Sequence, residues 1–270
     1  MIQISETDFN KITAEIYRLH SYDFRSYSKS SLSRRLQRFM SLHAILSIDE
    51  FIAYLNNGND INSFVTEITV NTTEMFRDPS FWQTMRQEII PSIRFSQNIR
   101  IWHAGCSSGE EVLSMCILLE ELNLNSRAVI YATDIDSNIL KKAAKALYPA
   151  RNYDENEKNY QAAGGKHSLK KYIKFHDRFS YQFHDELYKN VIYKKLDLVH
   201  EILPFKFDLI LCRNVLIYFN FDLQEKVISN FADSLYQKGI LAIGQNETIL
   251  GNNLNRLSLH NEREKIYQLK

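Results

Sequence analysis

The first ninety residues carry hydrophobic positions at the three- and four-residue spacing of amphipathic helices. The spacing is clear near the start of the chain, at Phe9, Ile12, Ile16 and Leu19. Glycine is almost absent from this stretch, and no alternating pattern of the kind that strands show interrupts it. The pattern predicts a small all-α N-terminal domain over residues 1–90.

From about residue 98 onward, short apolar runs alternate with helical stretches. The runs typical of strands include "IRIWHA", "AVIYATDID", "FDLILC" and "GILAIG". Such alternation predicts a parallel sheet with helices on both faces, which we place in an α/β domain over residues 91–270. Residues 149–190 interrupt it with a polar, aromatic-rich segment, which we expect to form a small inserted subdomain or lid.

Composition and charge narrow the function classes. Apolar residues make up 44% of the chain and charged residues 24%, and the net charge of +1 argues against a general nucleic-acid binder. The three cysteines form no CxxC pair and the histidines of the insertion match no metal motif, so we expect no metal and a cytoplasmic location. The N-terminus is unlike a signal peptide and no apolar run reaches the ~20 residues of a membrane helix, so we expect no membrane insertion.

The loop after the first strand, "WHAGCSSGEEVLSM", lies where doubly wound folds bind ligands. Gly105 and Gly109 allow backbone conformations and a close approach that a Cβ atom would forbid. Glu110 and Glu111 occupy the start of the helix, where they would repel a pyrophosphate and attract a cation. S-adenosylmethionine carries an ammonium and a sulfonium but no phosphate, so the loop favours it as cofactor. The alternative is that the acidic residues only stabilise the helix dipole.

A carboxylate at the tip of the second strand supports a nucleoside-bearing cofactor. Asp134 ends that strand, about 25 residues after Gly109, and a carboxylate there is the usual partner of a ribose diol. Asp136 competes for this role, although its position before "SNIL" is more typical of a helix cap.

The run "FDLILCRNVLIYFN" joins an apolar strand, which we expect to be buried, to a second apolar stretch through Cys212, Arg213 and Asn214. A polar pair where a buried strand ends either turns the chain or serves a site at that point. The carboxyl edge of a parallel sheet is where ligands bind, so the second interpretation competes with the first.

Five motifs together resemble those of the chemotaxis receptor glutamate methyltransferases, the CheR family: "NTTEMFRDPSFW", "IWHAGCSSGEEVLS", "YATDID", "FDLILCRNVLIYF" and "GQNET". The resemblance implies a class I S-adenosylmethionine-dependent methyltransferase domain of Rossmann-like fold, preceded by the helical domain. It also implies methyl transfer from S-adenosylmethionine to glutamate carboxylates of methyl-accepting chemotaxis receptors. The products would be glutamate methyl esters and S-adenosylhomocysteine, in the service of chemotactic adaptation.

The resemblance assigns roles to individual positions. It implies that Glu111 binds the methionine amino group, that Asp134 binds the ribose, and that Asp197 and Leu198 flank the adenine. Further cofactor contacts are implied at Asn71, Thr73, Arg77 and Gly105, and the wall of the site is implied to include Arg213, Asn214 and Tyr218. Whether Arg213 contacts the cofactor or only supports the site stays open. Two departures are the aspartate at position 197, where the family often has asparagine, and "GEEVLS", where a proline after the second glutamate is usual.

The chemistry implied by the resemblance requires no general base, since a glutamate carboxylate with a pKa of about 4.3 is already ionised at neutral pH. We expect Arg77 to grip one carboxylate oxygen and Tyr218 to orient the same group. The alternatives are a surface ion pair of Arg77 with Asp78 or Glu74, and a Tyr218 that only fills the core.

A basic helix is the clue to the partner. In "YSKSSLSRRLQRFM" the apolar positions face the core, and we expect Arg34, Arg35 and Arg38 to project from the opposite side. Family resemblance implies that this helix docks the acidic, helical region of a receptor; a merely solvated face is the alternative.

Two rival functions use the same cofactor fold. A nucleic-acid methyltransferase would need an Asn/Asp-Pro-Pro-aromatic or Pro-Cys motif, and the chain contains neither. A degenerate relative that binds S-adenosylmethionine as a sensor would not need Arg77 or Tyr218, which are both present.

Overall fold

The computed structural model of the protein describes residues 3–57, 60–69 and 72–270. Its helices are α1 (Glu6–His20), α2 (Lys29–Leu42), α3 (Ile48–Asn56), α4 (Ile61–Ile68), α5 (Pro79–Thr84), α6 (Ile90–Ile93), α7 (Glu110–Glu121), α8 (Ser137–Lys145), α9 (Tyr153–Ala162), α10 (Asp185–Tyr188) and α11 (Phe221–Ser234). Its strands are β1 (Ile99–Ala104), β2 (Ala128–Asp134), β3 (Leu147–Pro149), β4 (Ile173–Phe175), β5 (Ser180–Phe183), β6 (Val191–Lys195), β7 (Phe207–Cys212), β8 (Leu235–Ile243), β9 (Leu257–Asn261) and β10 (Ile266–Leu269).

The N-terminal helices α1–α4 bury one apolar cluster of their own, which includes Ile12, Leu36 and Phe64. Local sequence fixes where these helices begin, because Ser5 and Asp8 form a capping box at α1 and the Ser47 side chain accepts from the Glu50 N–H at α3. The predicted all-α N-terminal domain is confirmed.

The packing does not divide at residue 90, where we predicted the domain boundary. Apolar residues from Met75 to Ile93 belong to the core that covers the sheet, whereas the N-terminal cluster ends at Ile68. The segment includes α5, a π-helical turn over Met85–Ile89, and α6. Helical periodicity continues through it, so the sequence pattern does not reveal that its apolar face meets the sheet.

The central sheet has seven strands in the order β6-β2-β1-β7-β8-β10-β9. The first five strands of this order run parallel, and β10 and β9 close the sheet as the antiparallel hairpin of the C-terminus. Separate apolar cores cover its two faces, one built around α7 and the other around α11. The Rossmann-like α/β fold is thus confirmed, with a mixed rather than wholly parallel sheet.

The insertion carries a second sheet of three antiparallel strands in the order β3-β5-β4. The buried Glu121 carboxylate at the end of α7 joins it to the main domain. Its Oε1 accepts hydrogen bonds from the hydroxyls of Tyr160 and Tyr172 and from the Lys166 N–H, and its Oε2 lies 2.5 Å from the Arg86 guanidinium. Because Glu121, Tyr160 and Tyr172 are all buried, we expect this network to hold the insertion rigidly against the main domain.

The N-terminal domain meets the α/β domain directly. The Ser28 N–H donates to the Tyr218 carbonyl at 2.8 Å and the Asn220 N–H donates to the Ser26 carbonyl at 2.9 Å, around an antiparallel bridge between Tyr27 and Phe219. No helix within the described ranges combines the length and the apolarity needed to cross a lipid bilayer.

Candidate active site

A cavity of about 210 Å³ opens at the carboxyl ends of β1, β2 and β7. β1 lies between β2 and β7, so the strand order reverses here, which is the position where open α/β sheets bind ligands. The predicted site residues that line this cavity are Thr73, Arg77, Gly105, Glu111, Asp134, Asp197, Leu198, Arg213, Asn214 and Tyr218. Asn71 lies outside the residues that the structure describes.

The loop between β1 and α7 needs glycine at its first position. Gly105 has φ +80°, and a Cβ atom there would lie 2.4 Å from Cγ2 of Val215. The N–H groups of Gly105 and Cys106 donate to the Thr133 carbonyl at 2.8 and 2.9 Å, which pins the loop to the end of β2. The loop therefore passes close under the segment that follows β7.

Glu111 is the best-anchored acidic group of the cavity. Its Oε1 is 2.9 Å from Nδ1 of His103, and its Oε2 accepts from Nη1 of Arg213 at 3.0 Å. Burial raises the pKa of Glu111, but the His103 hydrogen bond and the Arg213 charge outweigh it and lower the pKa overall. The carboxylate is therefore ionised at neutral pH and suited to hold an ammonium.

Arg213 is buried, and its contacts explain why a positively charged residue lies at the end of β7. Besides Glu111, it donates to Oδ2 of Asp78 at 2.6 Å, and its guanidinium stacks 3.9 Å above the Phe81 ring. It thus supports the Glu111 carboxylate, while one side of it borders the cavity.

Asp134 closes the end of β2, and the structure separates it from its competitor. Its carboxylate accepts from the Ser107 N–H at 2.9 Å and the Asp136 N–H at 3.0 Å, and it borders the cavity. Burial raises the pKa of Asp134 to about 6. The Asp136 carboxylate instead caps α8, where it accepts from the N–H groups of Asn138 and Ile139 at 2.8 and 3.2 Å.

The residues that follow β2 and β6 bring apolar side chains and one carboxylate to the cavity lining. Leu196, Leu198 and Ile135 supply its walls. Asp197 lies between the two leucines, accepts from the Val199 N–H at 2.9 Å, and has its pKa raised by burial. Apolar side chains next to the Asp197 carboxylate, which can accept a hydrogen bond, are suited to an adenine ring.

Arg77 borders the cavity between two residues of left-handed backbone, Phe76 (φ 50°) and Asp78 (φ 57°). The Phe76 ring is buried and its N–H donates to the Ser114 hydroxyl at 2.9 Å, which holds this unusual conformation. Within the described part of the chain the Arg77 guanidinium has no ion pair, since Asp78 pairs with Arg213 instead. The alternative surface ion pair of Arg77 is therefore not formed.

The segment after β7 carries Asn214 and Tyr218 into the cavity. Asn214 adopts left-handed backbone (φ 60°), and a 3₁₀ turn over Leu216–Tyr218 follows. The buried Glu247 carboxylate accepts from the Asn214 N–H at 3.1 Å and from the Ile217 N–H at 3.2 Å. The motif "GQNET" marked this region of the sequence, but nothing in it disclosed a role for Glu247.

One residue of the basic helix is not where we expected it. Arg34 and Arg38 are exposed, whereas Arg35 is half-buried and borders the cavity. Its guanidinium lies 4.3 Å above the Tyr218 ring, and Nη1 donates to the Ile68 carbonyl at 3.0 Å. The expectation that all three arginines project away from the core is thus wrong for Arg35.

The residues present fit S-adenosylmethionine. The cavity lining combines the ionised Glu111 carboxylate, the Asp134 carboxylate at the end of β2, and apolar side chains next to Asp197 in the sequence. The hydroxyl oxygen of Ser107 is buried there and has no hydrogen-bond partner among the described residues. No group of three potential metal ligands occurs in the ranges that the structure covers.

Comparison with known proteins gives the family. The family model described as "CheR methyltransferase, SAM binding domain" matches residues 71–266, and the one described as "CheR methyltransferase, all-alpha domain" matches residues 7–69. The Pseudomonas putida protein Cher3 is 35% identical, with 91% of this chain and 90% of that protein covered. A chemotaxis protein methyltransferase of Listeria innocua is 32% identical over 93% of each chain.

A chemotaxis protein methyltransferase of Borreliella burgdorferi is 30% identical, with 93% of this chain and 91% of that protein covered. Among solved structures, the N-methyltransferase NodS of Bradyrhizobium japonicum matches with a TM-score of 0.35 and 13% identity, over 62% of this chain and 63% of that one, too low a score to carry an argument. The chain belongs to the CheR methyltransferase family and is an S-adenosylmethionine-dependent methyltransferase.

Proposed function

We propose that this protein methylates glutamate side chains of methyl-accepting chemotaxis receptors. The observation that carries the proposal is a guanidinium and a phenol, Arg77 and Tyr218, at one cavity with the cofactor-facing carboxylates. The relatives named chemotaxis protein methyltransferases support the receptor as substrate.

Bound S-adenosylmethionine would supply a methyl group on a positively charged sulfur. With the cofactor held by Glu111 and Asp134, that methyl group would pass to a carboxylate oxygen of the acceptor, a C–O bond replacing the C–S bond, whose electron pair would stay on the sulfur. No proton moves, so the site needs no general base. The residues of the chain have to position the acceptor and exclude water.

Arg77 is suited to bind the acceptor carboxylate. Its guanidinium forms no ion pair with a described residue, so it can bind one oxygen and leave the other free to attack. The left-handed residues on both sides of it limit how far its backbone can shift, which favours a fixed angle of approach.

Tyr218 suits the orientation of the same group. Its hydroxyl can donate to the carboxylate without neutralising it, and its ring lies beneath the Arg35 guanidinium. Arg35 therefore acts, in this proposal, on the ring of Tyr218 and on the charge of the cavity, and not as a docking residue.

Arg34 and Arg38 remain the candidates for receptor docking. Both are exposed on α2, whose first turn follows the Ser28 contact with Tyr218. An acidic receptor helix that binds this face would lie next to the cavity mouth.

The test is transfer of tritiated methyl groups to receptor-containing membranes, with the label released as methanol by mild base. Base-labile label on a receptor is the expected result, since a carboxyl ester hydrolyses where a methylated amine does not. Cofactor binding without base-labile label on any receptor would reject the proposal and favour the sensor function.

A further inference from the structure

The buried Glu247 carboxylate has no charged partner in the described part of the chain. The side chain is 4% exposed and lies in the loop after β8. Its oxygens accept hydrogen bonds from three backbone N–H groups, those of Gly244 at 2.6 Å, Asn214 at 3.1 Å and Ile217 at 3.2 Å. A buried charge is costly, so a carboxylate satisfied only by backbone donors calls for an explanation.

The three donors come from two segments that are far apart in sequence. Gly244 is the first residue after β8, whereas Asn214 and Ile217 belong to the turn after β7. A Cβ atom at Gly244 would lie 2.8 Å from Oε2 of Glu247 and 2.9 Å from the Asn214 nitrogen. The absence of a side chain at Gly244 is therefore what lets the carboxylate reach the turn.

The turn held in this way is the one that carries Asn214 and Tyr218 into the cavity. The left-handed backbone of Asn214 directs its N–H to Glu247, while the residues after it form the 3₁₀ turn that ends at Tyr218. The end of the turn is also held by the N-terminal domain, since the Ser28 N–H donates to the Tyr218 carbonyl. Glu247 holds the same turn through the N–H groups of Asn214 and Ile217.

We propose that Glu247 is a positioning residue for methyl transfer, which fixes the turn so that Tyr218 meets the acceptor carboxylate. The inference rests on the proposed function for its catalytic consequence and on the hydrogen bonds for its geometry. A purely structural cap would affect stability alone, whereas a positioning residue affects turnover through Tyr218.

The variant Glu247→Gln tests this, because glutamine has the same shape but can offer only one acceptor oxygen to three donors. The control is Glu264→Gln, which changes a similarly buried carboxylate in the turn before β10. Glu264 accepts from the Gln245 side chain and forms an ion pair with Arg263 at 3.4 Å. We expect Glu247→Gln to lower kcat at least about tenfold, with the dissociation constant of S-adenosylhomocysteine changed less than about threefold.

The double variant Glu247→Gln/Tyr218→Phe separates the two roles. If Glu247 acts through Tyr218, the Glu247 change should cost less than about threefold in kcat once the hydroxyl is absent. Losses that multiply in the double variant, or a Glu247→Gln protein with unchanged kcat per folded molecule, would overturn the proposal.

Amide hydrogen exchange tests the geometry without any methyl acceptor, so it distinguishes failure of this inference from failure of the proposed function. Over residues 213–220 we expect Glu247→Gln to exchange at least about tenfold faster, and Glu264→Gln to exchange at the wild-type rate. Unchanged exchange in Glu247→Gln would reject the positioning role whatever the protein methylates.

Discussion

Glu111 and Asp134, two of the carboxylates that line the cavity, differ in what surrounds them. Glu111 is bonded to His103 and Arg213, which lower its pKa against the effect of burial. Burial raises the pKa of Asp134 to about 6, the nearby Asp136 charge acts in the same direction, and its hydrogen-bond partners among the described residues are backbone N–H groups. Of these two carboxylates, Asp134 is therefore the one whose charge should change just below neutral pH.

Cofactor affinity should fall as the pH falls through about 6. A ribose diol donates to the ionised carboxylate, and protonation of Asp134 removes an acceptor. With the pKa at about 6, the dissociation constant of S-adenosylhomocysteine should be about tenfold larger at pH 5 than at pH 7. Isothermal titration calorimetry at several pH values measures this.

The matched variants for this prediction are Asp134→Asn and Glu110→Gln. Burial also raises the pKa of Glu110 to about 6, but Glu110 does not border the cavity. Asp134→Asn should flatten the pH dependence, and Glu110→Gln should retain it. A profile that persists in Asp134→Asn would assign the titration to another group, with Asp197 the first to examine.

Arg77→Ala should lower turnover at least about 100-fold and change the free energy of unfolding by less than about 0.5 kcal/mol. The reason is that its guanidinium has no ion pair in the described residues that folding would lose. Single-turnover methylation measures the loss of turnover, and urea denaturation of the same preparation measures the change in the free energy of unfolding.

Arg86→Ala provides the opposite pattern as a control. Arg86 pairs with the buried Glu121 carboxylate at 2.5 Å, so its loss should cost about 3–5 kcal/mol of stability and leave activity per folded molecule intact. An Arg77→Ala protein that unfolds easily but retains its activity per molecule would contradict the role given to Arg77.

Arg35 shows how far the helix pattern could predict a side chain. At about 100° per residue, Arg34 lies roughly opposite the centre of the apolar face formed by Leu32, Leu36 and Phe39. Arg35 lies only about 70° from that centre, on the flank of the face. The spacing was therefore sufficient to separate Arg35 from Arg34, but not to say that the flank borders a cavity in another domain.

At the scale of elements, strand alternation was enough to predict the sheet and the loops that carry the site. The polar break after β7 and the glycine loop after β1 both lie at the edge of the sheet where parallel strands end. His103 and Glu247 were not predicted, because a hydrogen bond to a partner distant in sequence leaves no local pattern. Only the packing of the elements brings such partners together.

Gly105→Ala should damage the contact between the β1–α7 loop and the turn after β7. The new Cβ would lie 2.4 Å from Cγ2 of Val215, and φ +80° is itself unfavourable for alanine. We expect a loss of about 1–3 kcal/mol in unfolding free energy and weaker S-adenosylhomocysteine binding, measured by denaturation and calorimetry.

The double variant Gly105→Ala/Val215→Ala removes the clash but keeps the backbone strain. It should recover part of the S-adenosylhomocysteine affinity and part of the free energy of unfolding that Gly105→Ala loses. Wild-type stability and affinity in Gly105→Ala would show that the loop can move away from Val215, against the close packing described for it.

At the scale of the whole molecule, receptor docking should depend on the exposed charges of α2. Arg34→Glu/Arg38→Glu should raise KM for the receptor about tenfold and weaken its salt dependence, with kcat changed less than about twofold. The reason is that both side chains are exposed while the cavity is lined by Arg35. Initial rates over a range of salt concentrations measure this.

Lys141→Glu/Lys145→Glu is the control for the charge change. These residues are also exposed and four positions apart, but on α8, and their reversal changes the net charge equally. An equal rise in receptor KM for both pairs would indicate a general charge effect and no specific docking by α2.

The backbone pairing between residues 26–28 and 218–220 has a consequence for exchanging domains between relatives. A chimera that joins a foreign helical domain at residue 70 would replace the chain segment that bonds the Tyr218 carbonyl, together with the Arg35 guanidinium above the ring. Receptor preference and catalytic rate would then change together. To transfer preference alone, a graft has to keep residues 26–28 and Arg35 and exchange only the outward surface of α2.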